Sequence, residues 1–480
     1  MHLDMFAPAV CTLIRPHGGD SQKRLRNELG RGIWCLLALI SWLLTLPSLA
    51  QQLPPRDDPL YDLLAHSTPT PSALARAPRS LDEFTPTPDE PILRWRLNRA
   101  EPLKPMQGAL IVTLNGFGYP ANSNWMTPAK ASYRVAGVWA LGEQAMLELV
   151  WSDAARRETD HPTRYDTLPL ARLTFRTGEW EWQFGRANLR WSGGYSGALL
   201  VNDAMPPVPY ARVAFPLRLP LLGRWQFEQF FAQFEQQDQT VWWSGRRLTR
   251  TLNARWSVSA AEAFKALRLP DGATSQLVPF YLYQKWMSRA DIGSGWFNYL
   301  AEVGVIYRLN RTDRLYLFWL IDDMRAPDFL GGRGATTPRK VATLLGIRCK
   351  PTSDTRLILE GVLTDGTENG GTYGAAGHDP RYAYFYDGVP MGHPFGSNQK
   401  GLYARFEWER NRWFIAMEGW NIGRFHNFLP GTRGYQFEMQ LGYQFARGGM
   451  LSLRYRTRHL REFDMPDARC GWWLHWSQLF

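Results

Sequence analysis

Cysteines and long apolar runs are both scarce in this sequence. Its 480 residues include four cysteines, Cys11, Cys35, Cys349 and Cys470, which have neither the CxxC pattern nor metal-site spacing. The apolar run from Ile33 to Leu46 is shorter than the roughly 20 residues that a membrane-spanning helix needs. These shortages argue against a thiol-based metal site and against a membrane protein built of helices.

Catalytic signatures are also missing. The sequence has no HExxH pair, no combined histidine–cysteine set, no serine nucleophile elbow and no phosphate-binding loop. Asp322 and Asp323 are adjacent in a predicted strand and face opposite ways, so they cannot form the facing carboxylate pair of a glycosidase. The sequence therefore predicts no catalytic residue, no metal and no cofactor, and we expect a protein that is not an enzyme.

Positive charge is present but spread out. The formal net charge is +11, yet the sequence has no lysine- or arginine-rich run and no nucleic-acid-binding motif. We therefore expect no nucleic-acid partner. A basic protein attracts acidic partners, and lipopolysaccharide phosphates or uronic-acid polymers fit this charge.

The N-terminal residues have the order of an export signal. Four basic residues between positions 23 and 31 precede the apolar run, and small residues at Ser48 and Ala50 follow it. Proline-rich sequence comes next and is typical of extended chain. We predict a signal peptide (1–50) cleaved after Ala50, a periplasmic lead-in (51–106) with one short helix near residues 60–64, and the main domain (107–480).

From Gly108 onward, side chains alternate between apolar and polar, as they do on the two faces of a β-strand. The clearest case is Tyr435–Phe445, and the segments Leu402–Trp408, Trp180–Phe184 and Leu252–Val258 follow it. Alternation alone also fits a soluble β-sandwich. The polar faces, however, carry both Arg and Glu, which suits a hydrated lumen crossed by ion pairs. The apolar faces are rich in Trp, Tyr, Phe and Leu, as lipid-facing surfaces are.

Connection lengths alternate too, as they do in outer-membrane barrels with short periplasmic turns and long outer loops. We therefore predict an all-β fold, a transmembrane antiparallel β-barrel of about 18 strands in the outer membrane. One connection breaks the scheme, because Ser259–Gln276 would be long on the periplasmic side, where Ala260–Leu267 resembles a helix. Long outer connections are expected at 153–170, 187–210, 237–247, 325–340, 365–400, 421–433 and 459–471.

The last predicted strand ends in an aromatic residue. Trp472, Leu474, Trp476 and Phe480 share one face of it. This pattern resembles the strand by which the barrel-assembly machinery recognises its substrates. We therefore expect that machinery to be a partner of the chain.

The barrel scheme also places two cysteines. Cys349 should lie near the periplasmic end of its strand, and Cys470 near the outer end of the last strand. About 25 Å of membrane would separate them. That distance is beyond the reach of a disulfide, so both thiols are predicted to be unpaired.

Two stretches are more specific than the strand pattern. The first runs from Gly185-Arg186 through Arg190–Gly194 and residues 202–209 to Trp225–Phe230, and the second is Gly388–Gly396. They resemble motifs of the capsule assembly protein Wzi family. The resemblance implies a lectin-like outer-membrane barrel with an occluded pore. Such a protein attaches or organises capsular or extracellular polysaccharide without catalysis.

Both motif stretches fall on the outer side of the predicted barrel, where a surface polysaccharide would meet it. Sugar binding needs flat apolar faces for C–H groups and fixed polar groups for hydroxyls. The alternative is that Gly193, Gly194 and Pro206–Pro209 only fold a loop back into the barrel mouth. The candidate polysaccharide-binding residues are Trp191, Tyr195, Asn202, Asp203 and Tyr210 in the first stretch and Tyr384, Tyr386, Asp387 and His393 in the second.

Two other functions stay open. An outer-membrane porin or transport channel for sugars or anionic solutes would have an open, arginine-rich lumen, and conductance in planar bilayers would reveal it. A secreted soluble β-protein would stay in aqueous solution without detergent. The arginines that would serve such a channel are Arg255, Arg405, Arg454, Arg456 and Arg458.

Overall fold

The computed structural model is built almost entirely of β-strands. No helix in the described part of the chain is long and apolar enough to cross a membrane. The predicted signal peptide and lead-in lie outside the described residues. The structure describes residues 108–116, 132–141, 145–152, 170–187, 189–191, 194–202, 207–220, 222–236, 239–266, 297–310, 312–322, 340–365, 371–374, 383–386, 389–394, 396–425, 433–445, 449–462 and 465–479.

Strand bounds follow the alternation of side chains along most of the chain. A single 3₁₀ turn, Gly371–Tyr373, interrupts them in the described residues. The strands, numbered in chain order, are β1 (Gly108–Gly116), β2 (Ser132–Ala140), β3 (Ala145–Ser152), β4 (Leu170–Thr177), β5 (Trp180–Ala187), β6 (Val208–Leu219), β7 (Gly223–Gln236), β8 (Gln239–Thr251), β9 (Trp256–Ala266), β10 (Phe297–Arg308), β11 (Arg314–Asp322), β12 (Lys340–Thr352), β13 (Thr355–Thr364), β14 (Phe385–Tyr386), β15 (Val389–Pro390), β16 (Gln399–Arg410), β17 (Trp413–Arg424), β18 (Arg433–Gln444), β19 (Gly449–Glu462) and β20 (Met465–Leu479).

Eighteen of these strands form one closed antiparallel sheet. Each strand pairs with the next along the chain, and β20 returns to β1, where Leu479 lies opposite Ile111. The short strands β14 and β15 pair only with each other, inside the connection between β13 and β16. Closure removes the exposed edges that an open sheet would present. The predicted antiparallel barrel is confirmed, and its strand number agrees with the expectation.

The two faces of the wall differ in the direction that lipid requires. On β11, Leu315 and Leu317 point outward and are 37% and 41% exposed, whereas inward Tyr316 is 2% exposed. On β18, outward Tyr435 is exposed, and inward Gln440 is buried. Apolar side chains are therefore outside and polar ones inside, the reverse of a soluble protein and the arrangement of membrane barrels.

Connections are short at one end of the barrel and mostly long at the other. We call these the short-turn end and the long-loop end. Every connection at the short-turn end is short, so the long periplasmic exception is not found. The short-turn end has connections 141–144, 178–179, 220–222, 252–255, 309–313, 353–354, 411–412 and 445–448, and the long-loop end has 117–131, 153–169, 188–207, 237–238, 267–296, 323–339, 365–398, 425–432 and 463–464.

The predicted helix at Ala260–Leu267 is wrong, because Trp256–Ala266 is strand β9, paired with both β8 and β10. The predicted long outer loop 237–247 is wrong too, because β8 begins at Gln239. The predicted strand Leu252–Val258 is also wrong, because a tight turn lies between β8 and β9. Asn253 makes that turn, because its Oδ1 accepts the amide hydrogens of Arg255 and Trp256 at 2.8 and 2.9 Å. Sheet pairing on both sides outweighs the helix preference of an alanine-rich run.

Another loop prediction is also wrong. Residues 459–471 were expected to be a long outer connection, but β19 continues to Glu462 and β20 begins at Met465. The two strands pair over their whole length, with Glu462 opposite Met465. Polar and charged residues fill this part of both strands, so composition alone resembled a loop.

The cysteine prediction is confirmed for Cys349, which is a free thiol near the short-turn end of β12. The backbone of Cys470 lies opposite Thr457 on β20, in the half of the strand that begins at the long-loop end. Its side chain lies outside the described residues.

Candidate functional site

Two connections from the long-loop end fold into the barrel. We call the described residues of 188–207 the deep segment and those of 365–398 the upper segment. Both are buried: Leu200 and Val201 in the deep segment and Tyr373 and Met391 in the upper segment are 0% exposed. They share one hydrophobic core with inward side chains of the wall, among them Phe230. Two segments and a packed core therefore occupy this part of the lumen.

Trp191 fixes the start of the deep segment. Its backbone forms an isolated antiparallel bridge with Val201, with the Trp191 amide donating to the Val201 carbonyl at 2.8 Å. The indole Nε1 donates to Glu228 Oε1 at 2.6 Å, and the ring packs edge-on against Phe230 at 4.9 Å. The Arg247 guanidinium carbon lies over the Trp191 ring, 5.3 Å from its centre. Trp191 thus ties the segment to β7 and β8 through both polar and apolar contacts.

Glutamates of the wall hold the rest of the deep segment. The amides of Tyr195 and Ser196 donate to the two oxygens of Glu360 at 2.6 and 2.7 Å. Glu302 accepts the amide of Leu200. A carboxylate that accepts amide hydrogens satisfies groups that no water could reach in a packed core. The deep segment is therefore held by acceptors on β7, β10 and β13.

The tip of the deep segment points towards the short-turn end. Arg314, the first residue of β11 after a short turn, donates to the Tyr195 hydroxyl at 2.6 Å. The guanidinium groups of Arg314 and Arg348 lie 5.5 and 5.7 Å from the centre of the Tyr195 ring. Tyr195 therefore lies deep in the barrel and away from the long-loop mouth.

Tyrosines and tryptophan form the core of the upper segment. Trp243 Nε1 donates to the Tyr384 hydroxyl at 2.9 Å, and the Tyr384 amide donates to the Tyr373 carbonyl at 2.9 Å. The Tyr373 hydroxyl accepts the His393 amide at 3.0 Å. Burial raises the pKa of both tyrosines above their usual value, so each stays a neutral hydrogen-bonding group.

Donors at the long-loop end of the wall anchor the upper segment. Lys265 Nζ, on β9, donates to the carbonyls of Ala383 and Phe385 at 2.9 and 2.6 Å. Asn298 Nδ2, on β10, donates to the Gly374 carbonyl at 2.9 Å. These wall side chains thus donate to carbonyls of the upper segment, whereas Glu302 and Glu360 accept amide hydrogens of the deep segment.

The two segments touch through glycines. A Cβ on Gly392 would lie 2.5 Å from the Leu199 carbonyl oxygen, and one on Gly197 would lie 2.5 Å from the Pro394 ring. The Asn202 amide donates to the Met391 carbonyl at 2.9 Å across the same contact. Only glycine allows this approach, so the segments interlock rather than merely lie side by side.

His393 lies at this contact and is fully buried. Burial, and then the positive charge of Arg190, lower the pKa of His393 to about 3. Its ring packs edge-on against Trp420 of β17 at 5.7 Å. The imidazole is therefore neutral at physiological pH.

Ion pairs line much of the inner wall outside the segment core, as the sequence predicted. Arg405 pairs with Glu418 at 2.9 Å, and Arg456 pairs with Glu438 at 2.7 Å. Arg454 also contacts Glu438, and the side chain of Arg458 lies outside the described residues. Three of the five arginines expected in an open channel are thus neutralised. Other pairs are Glu148–Arg172, Glu181–Arg176, Glu181–Arg212, Glu228–Arg212, Glu228–Arg247 and Glu407–Arg356.

Metal ligands are not grouped in the described part of the chain, where no three His, Cys, Asp or Glu residues are arranged to hold an ion.

Arg255, the remaining channel candidate, lies exposed in the turn between β8 and β9. The described geometry is one of internal packing, with its polar groups paired mainly to one another.

No protein-family model and no curated protein sequence matches the chain. Among solved structures, Wzi of Escherichia coli aligns with a TM-score of 0.57 and 16% identity, over 87% of this chain and 96% of that one. Wzi is described as an outer-membrane, carbohydrate-binding β-barrel involved in group 1 capsule assembly. The fold is that of an outer-membrane β-barrel. At this identity the likeness shows the fold alone.

Two further barrels align more weakly. OccAB4 of Acinetobacter baumannii has a TM-score of 0.46 and 10% identity, over 78% of this chain and 98% of that one. OpdQ of Pseudomonas aeruginosa has a TM-score of 0.45 and 9% identity, over 78% of this chain and 99% of that one.

The structure brings most of the predicted sugar-binding residues into one core. Trp191, Asn202, Tyr210, Tyr384 and His393 are buried there, and Tyr195 and Tyr386 are half-buried beside it. Asp203 and Asp387 lie outside the described residues. Tyr210 is on β6 and donates to Gln183 at 3.2 Å. The polysaccharide-binding role of the nine residues stays a prediction.

Sequence reasoning missed the residues that hold the segments, namely Glu302, Glu360, Lys265 and Tyr373. A signal was available: β7 and β11 carry apolar residues on both faces in the sequence. Their inward Phe230 and Phe318 pack against the segment core. A strand apolar on both faces thus marks where the lumen is filled rather than wet.

Proposed function

We propose that this protein is a non-enzymatic outer-membrane barrel that binds and organises capsular or extracellular polysaccharide at the cell surface. In this proposal the short-turn end faces the periplasm and the long-loop end faces outward. The deep segment closes the lumen, and the upper segment supports the surface that meets the polymer.

The observation that carries the proposal is the filled interior. Inward side chains are buried on strands all round the ring, including Glu148 on β3 at 0%, Glu181 on β5 at 3%, Glu360 on β13 at 1% and Arg454 on β19 at 5% exposure. In a wide aqueous channel such charged groups would be in contact with water. A closed lumen favours binding at a surface over passage through a pore.

Charge and fold give further support. The net charge of +11 suits an acidic polymer. The chain shares its fold with Wzi, a carbohydrate-binding barrel, and we propose that it is a member of the Wzi family because its two motif stretches resemble those of that family. Export by a signal cleaved after Ala50, contacts with lipopolysaccharide, and assembly through the strand that ends at Phe480 belong to the same proposal.

We propose that Tyr386, with the next residue Asp387 and with Asp203 of the first motif stretch, contacts the polymer directly. Tyr386 is half-buried and packs on Phe234 at 4.3 Å, in the hairpin that Lys265 anchors. The buried Trp191, Asn202, Tyr210, Tyr384 and His393 act by positioning the segments. Tyr195 acts at the deep tip.

Binding of purified acidic capsular polymers to the refolded full chain tests the proposal. Tyr386→Ala and Asp387→Asn are expected to weaken binding with the barrel still folded. Tyr435→Ala is the matched control, because it removes a tyrosine that is 48% exposed on the outer wall. Polymer binding by all these variants equal to that of the wild type would contradict the proposed contact surface. No binding by the wild type, together with steady ion conductance, would favour the channel instead.

A further inference from the structure

Three arginines form a row across neighbouring strands near the short-turn end. Arg308 on β10 lies directly opposite Arg314 on β11, and Arg314 lies directly opposite Arg348 on β12. Residues that lie opposite each other in an antiparallel pair point to the same face of the sheet. That face is the inner one, because Arg314 donates to the Tyr195 hydroxyl of the deep segment. We call these three residues the arginine row.

The arginine row places like charges next to each other. Residues that lie opposite in an antiparallel pair have their Cα atoms only about 4.5–5.5 Å apart, and like charges at such positions repel. In other parts of the inner wall an arginine lies opposite a glutamate, as Arg456 does opposite Glu438 and Arg172 opposite Glu148. The arginine row therefore concentrates positive charge at one place in the lumen.

Aromatic rings orient two members of the row. The guanidinium carbons of Arg314 and Arg348 lie 5.5 and 5.7 Å from the centre of the Tyr195 ring, so both groups converge on one ring. The Arg314 guanidinium carbon also lies 5.9 Å from the centre of the Tyr316 ring. Contact with a ring orients the planar donor fork of a guanidinium before a ligand arrives. The row is thus a preorganised set of hydrogen-bond donors.

Two carboxylates that border the row hold backbone in place. Glu360 accepts the amides of Tyr195 and Ser196 at 2.6 and 2.7 Å. Asp313 accepts the amide of Lys350 at 2.7 Å. These contacts fix the deep segment on one side of the row and the turn between β10 and β11 on the other.

The row lies between the deep segment and the mouth of the barrel at the short-turn end. Arg308 and Arg314 flank the turn 309–313 at that end. Arg314 is buried beside Tyr195, whereas Arg308 and Arg348 are half-buried. A ligand that enters from the short-turn end therefore meets Arg308 and Arg348 first.

We propose that the arginine row is an oxyanion site on the short-turn side of the closed lumen, and that it takes a phosphate or carboxylate group. Guanidinium forks match both groups through paired, charge-assisted hydrogen bonds. A bound anion also offsets the repulsion among the three positive charges. The site lies at the opposite end from the proposed polymer surface and does not depend on it.

Titration calorimetry of the refolded full chain in non-ionic detergent tests the site. Inorganic phosphate and glucuronate are the two probes, and glucose at the same ionic strength is the neutral comparison. Arg308→Gln and Arg348→Gln should each weaken anion binding about tenfold or more, because each removes charge-assisted hydrogen bonds. Arg412→Gln is the matched control, because Arg412 is an exposed arginine in another turn of the same end. Binding of phosphate alone assigns a phosphate group to the site, and binding of glucuronate alone assigns a sugar acid.

Absence of binding of both anions by the wild type would overturn the site. Equal binding by the wild type, Arg308→Gln and Arg348→Gln would overturn its location. Arginine modification of the wild type with phenylglyoxal, read by mass spectrometry, keeps the test decisive should these variants not fold. The bound anion should protect Arg308 and Arg348 and leave Arg412 reactive. Equal modification of Arg308 and Arg348 with and without the anion would also overturn the proposal.

Discussion

The deep and upper segments occupy the same lumen, but the wall side chains that contact their backbones differ in kind. Glu228, Glu302 and Glu360 accept hydrogens from the deep segment, whereas Lys265 and Asn298 donate to carbonyls of the upper segment. Glu228 also pairs with the buried Arg212 and Arg247, so its loss leaves two buried charges unmatched. Loss of a donor to backbone carbonyls costs less. We therefore expect the deep segment to be the more firmly held layer and the upper segment to be the more easily released one.

The largest expected effect comes from the deep anchor Glu228. Glu228→Ala should lower the free energy of unfolding by about 3–5 kcal/mol, because Arg212 and Arg247 lose a buried partner. Urea unfolding of the refolded barrel in detergent, followed by tryptophan fluorescence, measures the change. Glu179→Ala is the control, since that carboxylate is mostly exposed. A Glu228→Ala barrel as stable as the control would remove the basis for a firmly held deep segment.

At neutral pH, Lys265→Met should have the next largest effect and sharpen the comparison. Its loss leaves Gln236 and two carbonyls without a donor, at a cost of about 2 kcal/mol. Limited proteolysis should show faster cleavage within 365–398 and unchanged cleavage within 188–207. Equal acceleration in both segments would show that the two layers open together, against the account.

Acid should loosen the upper segment through His393. Its pKa is about 3 in the folded chain against a usual 6.5, so the unfolded chain binds the extra proton between these values. Stability therefore falls as pH drops from about 7 towards 3, by up to about 1.4 kcal/mol per pH unit. Urea midpoints between pH 4 and 8 should show this slope, and His393→Gln should flatten it. Parallel curves for the two proteins would contradict the burial of a neutral imidazole.

The smallest effect is expected outside the lumen. Arg224 pairs with Glu179 at 2.5 Å, but half of the arginine side chain and more of the glutamate are exposed. Arg224→Ala should change the free energy of unfolding by no more than about 1 kcal/mol. A larger loss in the same urea assay would mean that charge at the rim, and not burial, separates strong anchors from weak ones.

Much of the wall could be predicted from the sequence, because the period of two is a local property of each strand. Trp180–Phe184 and Tyr435–Phe445 alternate cleanly, and their faces are as expected. Leu252–Val258 failed because the Asn253 turn splits the pattern. The alanine-rich β9 failed because only its two neighbouring strands make it a strand.

The interior could be predicted less well. Trp191 and Tyr384 stood out as aromatic residues in loops, but an exposed stacking ring and a buried anchor give the same sequence signal. Burial depends on contacts with Glu228 and Trp243, which are distant in the sequence and unremarkable there. The role of loop residues that fold inward therefore cannot be inferred until the structure of the wall is known.

Single-channel conductance of the refolded wild-type chain in planar lipid bilayers tests the closed lumen most directly. We expect no conductance steps from the wild-type protein, because the deep segment and its core fill the barrel between β7 and β13. Large, steady conductance steps from the wild-type protein would contradict it and would assign the chain to the channels.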